Sequence, residues 1–255
     1  MNPDISIITV TYNAAQTLPP TLDSIAAQTF RNFELLVIDG LSTDGTQRLA
    51  ELFQKQHDDL QMTLVSKRDD GIYDAMNTGL MLAKGRYIVY LNAGDRLHAS
   101  DTLATVAQQM KKGENNRFPA VIYGETDIVD ADGKFLRHRR LQAPERLNWQ
   151  SFKEGMLVCH QSFYALREIA PQYTTRFRYS SDFDWCVRVM LAAEEMGLAL
   201  CNTHAILTDY LSEGQTTAHH KESLRERFQI MCHHYGRWTT CRQHAWFAIR
   251  QILKK

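Results

Sequence analysis

Four short apolar runs alternate with helical patterns over residues 5–95, and that alternation leaves little choice of architecture. The runs are Ile5–Val10, Phe33–Ile38, Met62–Val65 and Tyr87–Leu91, each closed by small or polar residues. Between them, Leu18–Ala27 carries Leu22, Ile25 and Ala26 on one side. Ser42-Thr43-Asp44-Gly45-Thr46 opens a helix running through Phe53, and Gly71 precedes a helical pattern bearing Asp74 and Asn77. A β-α-β-α-β-α-β order predicts a parallel, doubly wound sheet. Right-handed crossovers bring the strand ends, and with them Tyr12, Asp39 and Asp95, to one edge. Ligands bind at that edge in open α/β sheets.

Beyond Asp95 the pattern predicts a helix over Asp101–Lys111, a polar loop over Lys112–Arg117, and strands at Ala120–Tyr123 and around Phe135–Arg139. Residues 156–166, MLVCHQSFYAL, read as a buried strand carrying polar groups, Asp182–Met196 as a helix, and Lys221 onward as an aromatic, basic helix. With 44% hydrophobic and 23% charged residues among 255, the composition is globular. Lys+Arg and Asp+Glu both number 29, which argues against a general electrostatic grip on nucleic acid. The five cysteines form no CxxC pair, so free thiols in a reducing compartment are expected rather than a zinc or redox motif. Neither a signal peptide nor an apolar run long enough to span a membrane is visible, which predicts a cytoplasmic protein. P-loop and GxGxxG motifs are both missing.

Individual residues carry two readings each. Asp95 ends its strand in Asn92-Ala93-Gly94-Asp95, where a carboxylate can hold a hard divalent cation or serve a structural turn or salt bridge with Arg96. Asp39 can accept from a nucleobase imide or ribose hydroxyl, or serve its turn; Asp44 reads as a turn or capping group. Tyr12 can stack on a base or fill core. Asp182 and Asp184 open a helix, where capping and dipole favour acids and the same dipole keeps a catalytic base ionised. His160 and Gln161 are either satisfied core residues or the polar wall of a pocket. The last helix, His244–Lys255, reads as a packing helix with a solvated basic end or as an interfacial helix on anionic lipid.

ISIITVTYN, FELLVIDGLSTDGT, GIYDAMNTG, LAKGRYIVYLNAGD, VCHQSFY and YSSDFDW follow one another between residue 5 and about residue 190. This ordered set resembles family 2 inverting glycosyltransferases of the GT-A fold, whose sheet is Rossmann-like and mostly parallel. It is most similar to the bacterial branch that builds surface polysaccharides such as colanic acid and lipopolysaccharide O-antigen. The resemblance implies transfer of a sugar, with inversion, from a nucleotide-diphosphate-sugar to a lipid-linked saccharide at the inner membrane face, with peripheral membrane contact and no nucleic acid partner. It implies that Tyr12 and Asp39 hold base and ribose, helped by Asp69, Asp74 and Asn77. It implies further that Asp95 ligates Mg²⁺ or Mn²⁺, that Asp182 (or else Asp184) is the general base, and that His160 and Gln161 line the acceptor or diphosphate side. Residues 1–215 would form the transferase domain, with 1–98 its nucleotide-sugar half and 99–215 its acceptor half, and 216–255 a helical tail. Two departures stand out: Asn92 and Gly94 leave Asp95 without acidic neighbours, and Ser181 precedes Asp182 where many relatives have glutamate. The first motivates an alternative, a non-catalytic sugar-nucleotide-binding partner of a polysaccharide assembly complex. A nucleotidyltransferase is disfavoured because Thr9–Gln16 holds no glycine and no basic residue.

Overall fold

The computed structural model describes residues 2–111, 113, 116–212 and 220–252. Its first half follows the expected alternation: β1 (Ile5–Thr11), α1 (Leu18–Ala26), β2 (Phe33–Asp39), α2 (Thr46–Gln56), β3 (Gln61–Ser66), α3 (Ile72–Leu82) and β4 (Tyr87–Tyr90). The strands pair in parallel in the order β3-β2-β1-β4. β1 and β2 are buried along their whole length, as parallel strands covered on both faces must be. Register sets the site's first wall. Thr11 lies opposite Asp39, and Asp39 opposite Ser66, so three polar side chains end level at the carboxyl edge. α3 presses closely on β1: a Cβ on Gly79 would lie 2.3 Å from Ile8 Cγ2, so only glycine admits this approach.

The second half extends the same sheet. It comprises β5 (Arg96–Leu97), α4 (Thr102–Gln109), β6 (Val121–Val129), β7 (Phe135–His138), β8 (Phe163–Leu166), α5 (Ser181–Glu195), β9 (Leu200–Leu211), α6 (His220–Tyr235) and α7 (Arg237–Ile252). The order continues β4-β8-β6-β9-β5, with β7 on β6. β8 enters antiparallel between β4 and β6, while β6 and β9 run parallel. Beneath the junction, Tyr73 stacks on Tyr173 and Tyr173 on Trp185 at centroid distances of 5.3 and 5.1 Å, with Tyr90 edge-on to both Tyr173 and Trp185. This aromatic column seats α5 against α3 and β4.

Two expectations are corrected and one strand was not foreseen. The strand expected over 156–166 is confined to Phe163–Leu166, and His160–Ser162 forms a 3-10 turn. β9 went unrecognised because LCNTHAILTDYL interleaves polar and apolar residues without a clean period and bends at His204, whose φ is +54°. The C-terminal helix is two, broken where Gly236 takes a φ of +81°. The loop expected at Lys112–Arg117 lies partly outside the described residues, as do Leu253, Lys254 and Lys255 of the last helix.

Candidate active site

Of the aspartates expected at the sheet edge, Asp39 is wholly buried. Its Oδ1 accepts the Thr11 hydroxyl at 3.0 Å and the Ser42 hydroxyl at 2.5 Å. Its Oδ2 accepts the Ser42 N–H at 3.0 Å and the Ser66 hydroxyl at 2.8 Å. Asp39 thereby ties the ends of β1, β2 and β3 together. The loops that follow β1 and β2 are laced to each other as well. Asn13 N–H donates to Ser42 Oγ, Thr43 N–H to Asn13 Oδ1, and Ala15 N–H to Asp44 Oδ2. Asp44 also takes the Thr46 hydroxyl and N–H, the former being the main influence holding its carboxyl below the usual value, so it serves the turn.

Tyr12 is 69% exposed at the end of β1. Beside it, a Cβ on Gly40 would meet Asp69 Oδ2 at 2.6 Å and Tyr12 Cδ2 at 3.4 Å, so an exposed ring and a carboxylate flank one bare backbone position. Asp74 Oδ2 accepts the Asp70 N–H at 3.2 Å and sits in the first turn of α3. Asn77 is buried and engages the Tyr173 backbone at both ends, donating from Nδ2 to its carbonyl at 3.0 Å and accepting its N–H at 2.6 Å. Its amide pins the 173 segment to α3.

The chemistry-bearing centre lies around two carboxylates joined by one turn. Asp95 is 5% exposed, with Oδ2 accepting from Gln161 Nε2 at 2.7 Å and Oδ1 from the Leu211 N–H at 3.0 Å. Burial pushes its carboxyl up from 3.8 to about 6, against those two hydrogen bonds and the charge of His160. Asp182 is held by the neighbouring residue of the same turn, His160, whose Nδ1 lies 3.4 Å from Asp182 Oδ2; Tyr73 OH lies 3.4 Å from Oδ1. Burial would raise the Asp182 carboxyl, but the His160 bond and charge, Arg227 and the Phe183 N–H outweigh it and hold the group below its ordinary value. In a strand, His160 and Gln161 would point to opposite faces. In the 3-10 turn, adjacent side chains reach two carboxylates of one cleft. The Cys159 thiol, pushed by burial to about 11, donates to Gln161 Oε1 at 2.6 Å and so leaves Nε2 facing Asp95.

Asp184 is occupied elsewhere. It pairs with Arg188 Nε at 2.7 Å and His234 Nε2 at 2.8 Å, which ties α5 to α6. A second tie is stronger in number: Glu226 of α6 accepts the N–H groups of Arg178, Tyr179 and Ser180 at 2.8, 2.8 and 3.0 Å, capping the segment that leads into Asp182. Ser180 Oγ adds a bond to the Ser223 carbonyl at 3.0 Å. Sequence reasoning missed Tyr73, Cys159 and these α6 residues. Tyr73 lay unremarked within GIYDAMN, whereas nothing local in the sequence links Glu226 to Asp182.

The Asn92–Asp95 turn fits a hard cation in its donor set: beside Asp95, Asn92 Oδ1 is buried with no hydrogen-bond partner. A separate group, His98, Asp127 and Asp209, has ligand-type atoms within 4.8 Å of one another. It arises because Asp127 and Asp209 are register partners on β6 and β9. Its carboxylates already contact imidazoles, His98 Nδ1 with Asp209 at 2.7 Å and His138 Nδ1 with Asp127 at 2.8 Å.

Comparison with known proteins gives the family and the fold. The profile of Glycosyl transferase family 2 matches residues 6–171. The PGL/p-HBAD biosynthesis glycosyltransferase of Mycobacterium bovis is 36% identical over 190 residues, 73% of this chain and 69% of that protein. The UDP-Glc:alpha-D-GlcNAc-diphosphoundecaprenol beta-1,3-glucosyltransferase WfgD of Escherichia coli is 23% identical over 231 residues, covering 89% and 85%. Among solved structures, S. aureus TarS 1-349 in complex with UDP-GlcNAc superposes with a TM-score of 0.66 at 15% identity, over 90% of this chain and 66% of that one. The mannosyltransferase PcManGT of Pyrobaculum calidifontis, in complex with GDP-Man and Mn²⁺, gives 0.64 at 19% identity, over 99% and 76%. At these identities the two structures show the fold, a GT-A arrangement of a curled, mostly parallel sheet flanked by helices. The chain spans about two thirds of the length of the TarS fragment it matches. The chain belongs to glycosyl transferase family 2.

The raised Asp95 carboxyl carries a stability consequence in the metal-free protein. Folding then favours the protonated form, so this group's contribution is complete below the unfolded value of 3.8 and lost as pH rises through about 6. Asp95→Asn removes the penalty. In denaturation with chelator present, the stability of the variant relative to wild type should rise between pH 4 and 7, by at most ~3 kcal/mol. A difference that stays flat across that range contradicts the burial of a charged Asp95.

Proposed function

We propose that this member of glycosyl transferase family 2 moves a sugar from a nucleotide-diphosphate-sugar to a lipid-linked saccharide in the assembly of a surface polysaccharide or glycolipid, with inversion at the anomeric carbon. The observation that carries the reading is the pair of carboxylates with separate environments, Asp95 raised and Asp182 lowered, held by consecutive residues of one turn. Environments that push two acids apart assign them different roles. The names of the relatives support the pathway class, and the E. coli glucosyltransferase is named for a diphosphoundecaprenol-linked acceptor.

Asp182 acts as general base. It is ionised at neutral pH, its side chain is 18% exposed to an incoming hydroxyl, and His160 fixes its orientation. As it takes the hydroxyl proton, the acceptor oxygen forms its bond to the anomeric carbon from the face opposite the leaving group. The old C–O bond breaks with its electron pair going to the nucleoside diphosphate. Tyr12 stacks on the base and Asp69 stands beside it, while Asp39, Asp74 and Asn77 set the walls against which the donor rests. Asp95, with Asn92 Oδ1, would hold Mg²⁺ or Mn²⁺, which supplies charge neutralisation for the diphosphate. Gln161 and Leu211 N–H orient Asp95 for that task.

Asp182→Asn should abolish transfer, by 10³-fold or more on the scale on which triad bases act, while nucleoside diphosphate binding by calorimetry stays within about twofold of wild type. Retained turnover in this variant would falsify the assignment of the base.

Contact with the membrane is part of the same reading. No described helix is long and apolar enough to cross a membrane. α7 instead exposes Trp238, Trp246 and Ile249, at 91%, 52% and 48%, on one face at helical spacing with exposed Arg242 among them. Apolar and basic residues on one helix face suit the interface of an anionic bilayer. Co-sedimentation with phosphatidylglycerol vesicles should be substantial, and several-fold weaker after Trp238→Ala with Trp246→Ala. Equal recovery with neutral phosphatidylcholine vesicles, or no loss in the variant, would sink the membrane contact.

A further inference from the structure

α6 carries one group to which the reaction described above assigns no ligand. Arg227 follows Glu226, the residue that caps the segment leading into Asp182. Its guanidinium carbon lies 5.5 Å from the centre of the Phe183 ring, the residue after Asp182. Its Nε is buried and has no hydrogen-bond partner. Among the described residues, no carboxylate lies within ion-pair distance of it. Burial lowers its proton affinity, and the charged and titratable groups that face it are Asp182, Arg139 and Tyr73. Arg139 is already engaged, donating to the Leu141 and Leu157 carbonyls at 3.0 and 3.1 Å. A second orphan sits beside the same carboxylate, because His160 Nε2 is also buried without a partner.

A guanidinium nitrogen kept out of water without an acceptor is costly, and a ligand that supplies an acceptor to this half-buried fork relieves that cost. The position of the group indicates which ligand. From the donor side, the order is Asp95, Gln161, His160, Asp182 and then Arg227, each linked to the next by contact or charge. Arg227 thus stands beside Asp182, the group that must meet the acceptor hydroxyl, rather than beside the metal carboxylate. A planar fork of donors matches phosphate oxygens in pairs.

We propose that Arg227 binds a phosphate of the acceptor's diphosphate linkage, selecting phosphate-bearing lipid acceptors and registering their sugar hydroxyl against Asp182. This rests on the transferase reading above and names the chemistry its acceptor must carry.

The test uses full-length protein whose donor site is first filled with UDP or GDP, whichever binds, so that a second anion must find another place. Farnesyl diphosphate is then titrated by calorimetry against farnesol as the uncharged control. Wild type is expected to bind farnesyl diphosphate and to favour it over farnesol. Arg227→Gln should weaken that binding about tenfold or more, the scale of a paired charge-assisted hydrogen bond. Arg227→Lys, which keeps the charge but loses the fork, should fall between. Nucleoside diphosphate affinity and the melting temperature should hold in both variants. Loss of nucleoside diphosphate affinity in Arg227→Gln, with farnesyl diphosphate unaffected, would assign Arg227 to the leaving group and overturn the proposal. So would equal binding of farnesyl diphosphate by all three proteins, or none by wild type. Failure of wild type to bind either nucleotide is a separate result, and it would count against the transferase reading itself.

Discussion

The site depends on a two-residue connection: Gln161 donates to Asp95 and His160 holds Asp182, from adjacent positions of one 3-10 turn. Acids in one site take their protonation from their immediate neighbours. Here each has its own donor, and the outcomes diverge. Asp95 has two neutral hydrogen-bond donors and the more distant charge of His160 against its burial, and it keeps a raised carboxyl. Asp182 has imidazole and guanidinium charge nearby and stays ionised. The turn is fixed in its own right, since Cys159 orients the Gln161 amide and Thr208 Oγ1 of β9 donates to the Gln161 carbonyl at 2.9 Å.

Around that turn, distant parts of the chain are drawn to one edge. β9 supplies the Leu211 N–H to Asp95, and α3 supplies Tyr73 to Asp182. α6 caps the approach to α5 through Glu226. α6 is therefore part of the frame that holds the start of α5, where Asp182 stands.

The first half of the fold was legible because its signals are local. β-branched runs, N-terminal prolines in α1 and an acid in the first turn of α3 all act within a few residues. The carboxyl edge followed from topology alone. What stayed hidden depends on partners far apart in sequence. Whether Asp39 faces a ligand or a ring of hydroxyls is decided by register with Thr11 and Ser66. That Asp184 is occupied while Asp182 is not bound to α6 in the same way depends on His234, 50 residues away from Asp184. The turn at His160 was obscured by its apolar neighbours, because periodicity does not separate a buried strand from a buried turn. The sequence showed a lone acid at Asn92–Asp95; that Asn92 Oδ1 is buried without a hydrogen-bond partner is visible only in the fold.

The most direct test of this account is the position of Mn²⁺ in a crystal of the protein grown with a nucleoside diphosphate, read from anomalous scattering. The account requires a peak bonded to the Asp95 carboxylate, with Asp182 outside its coordination shell. A peak on the His98, Asp127 and Asp209 group alone, or one that Asp182 ligates, would contradict the division of labour between the two carboxylates.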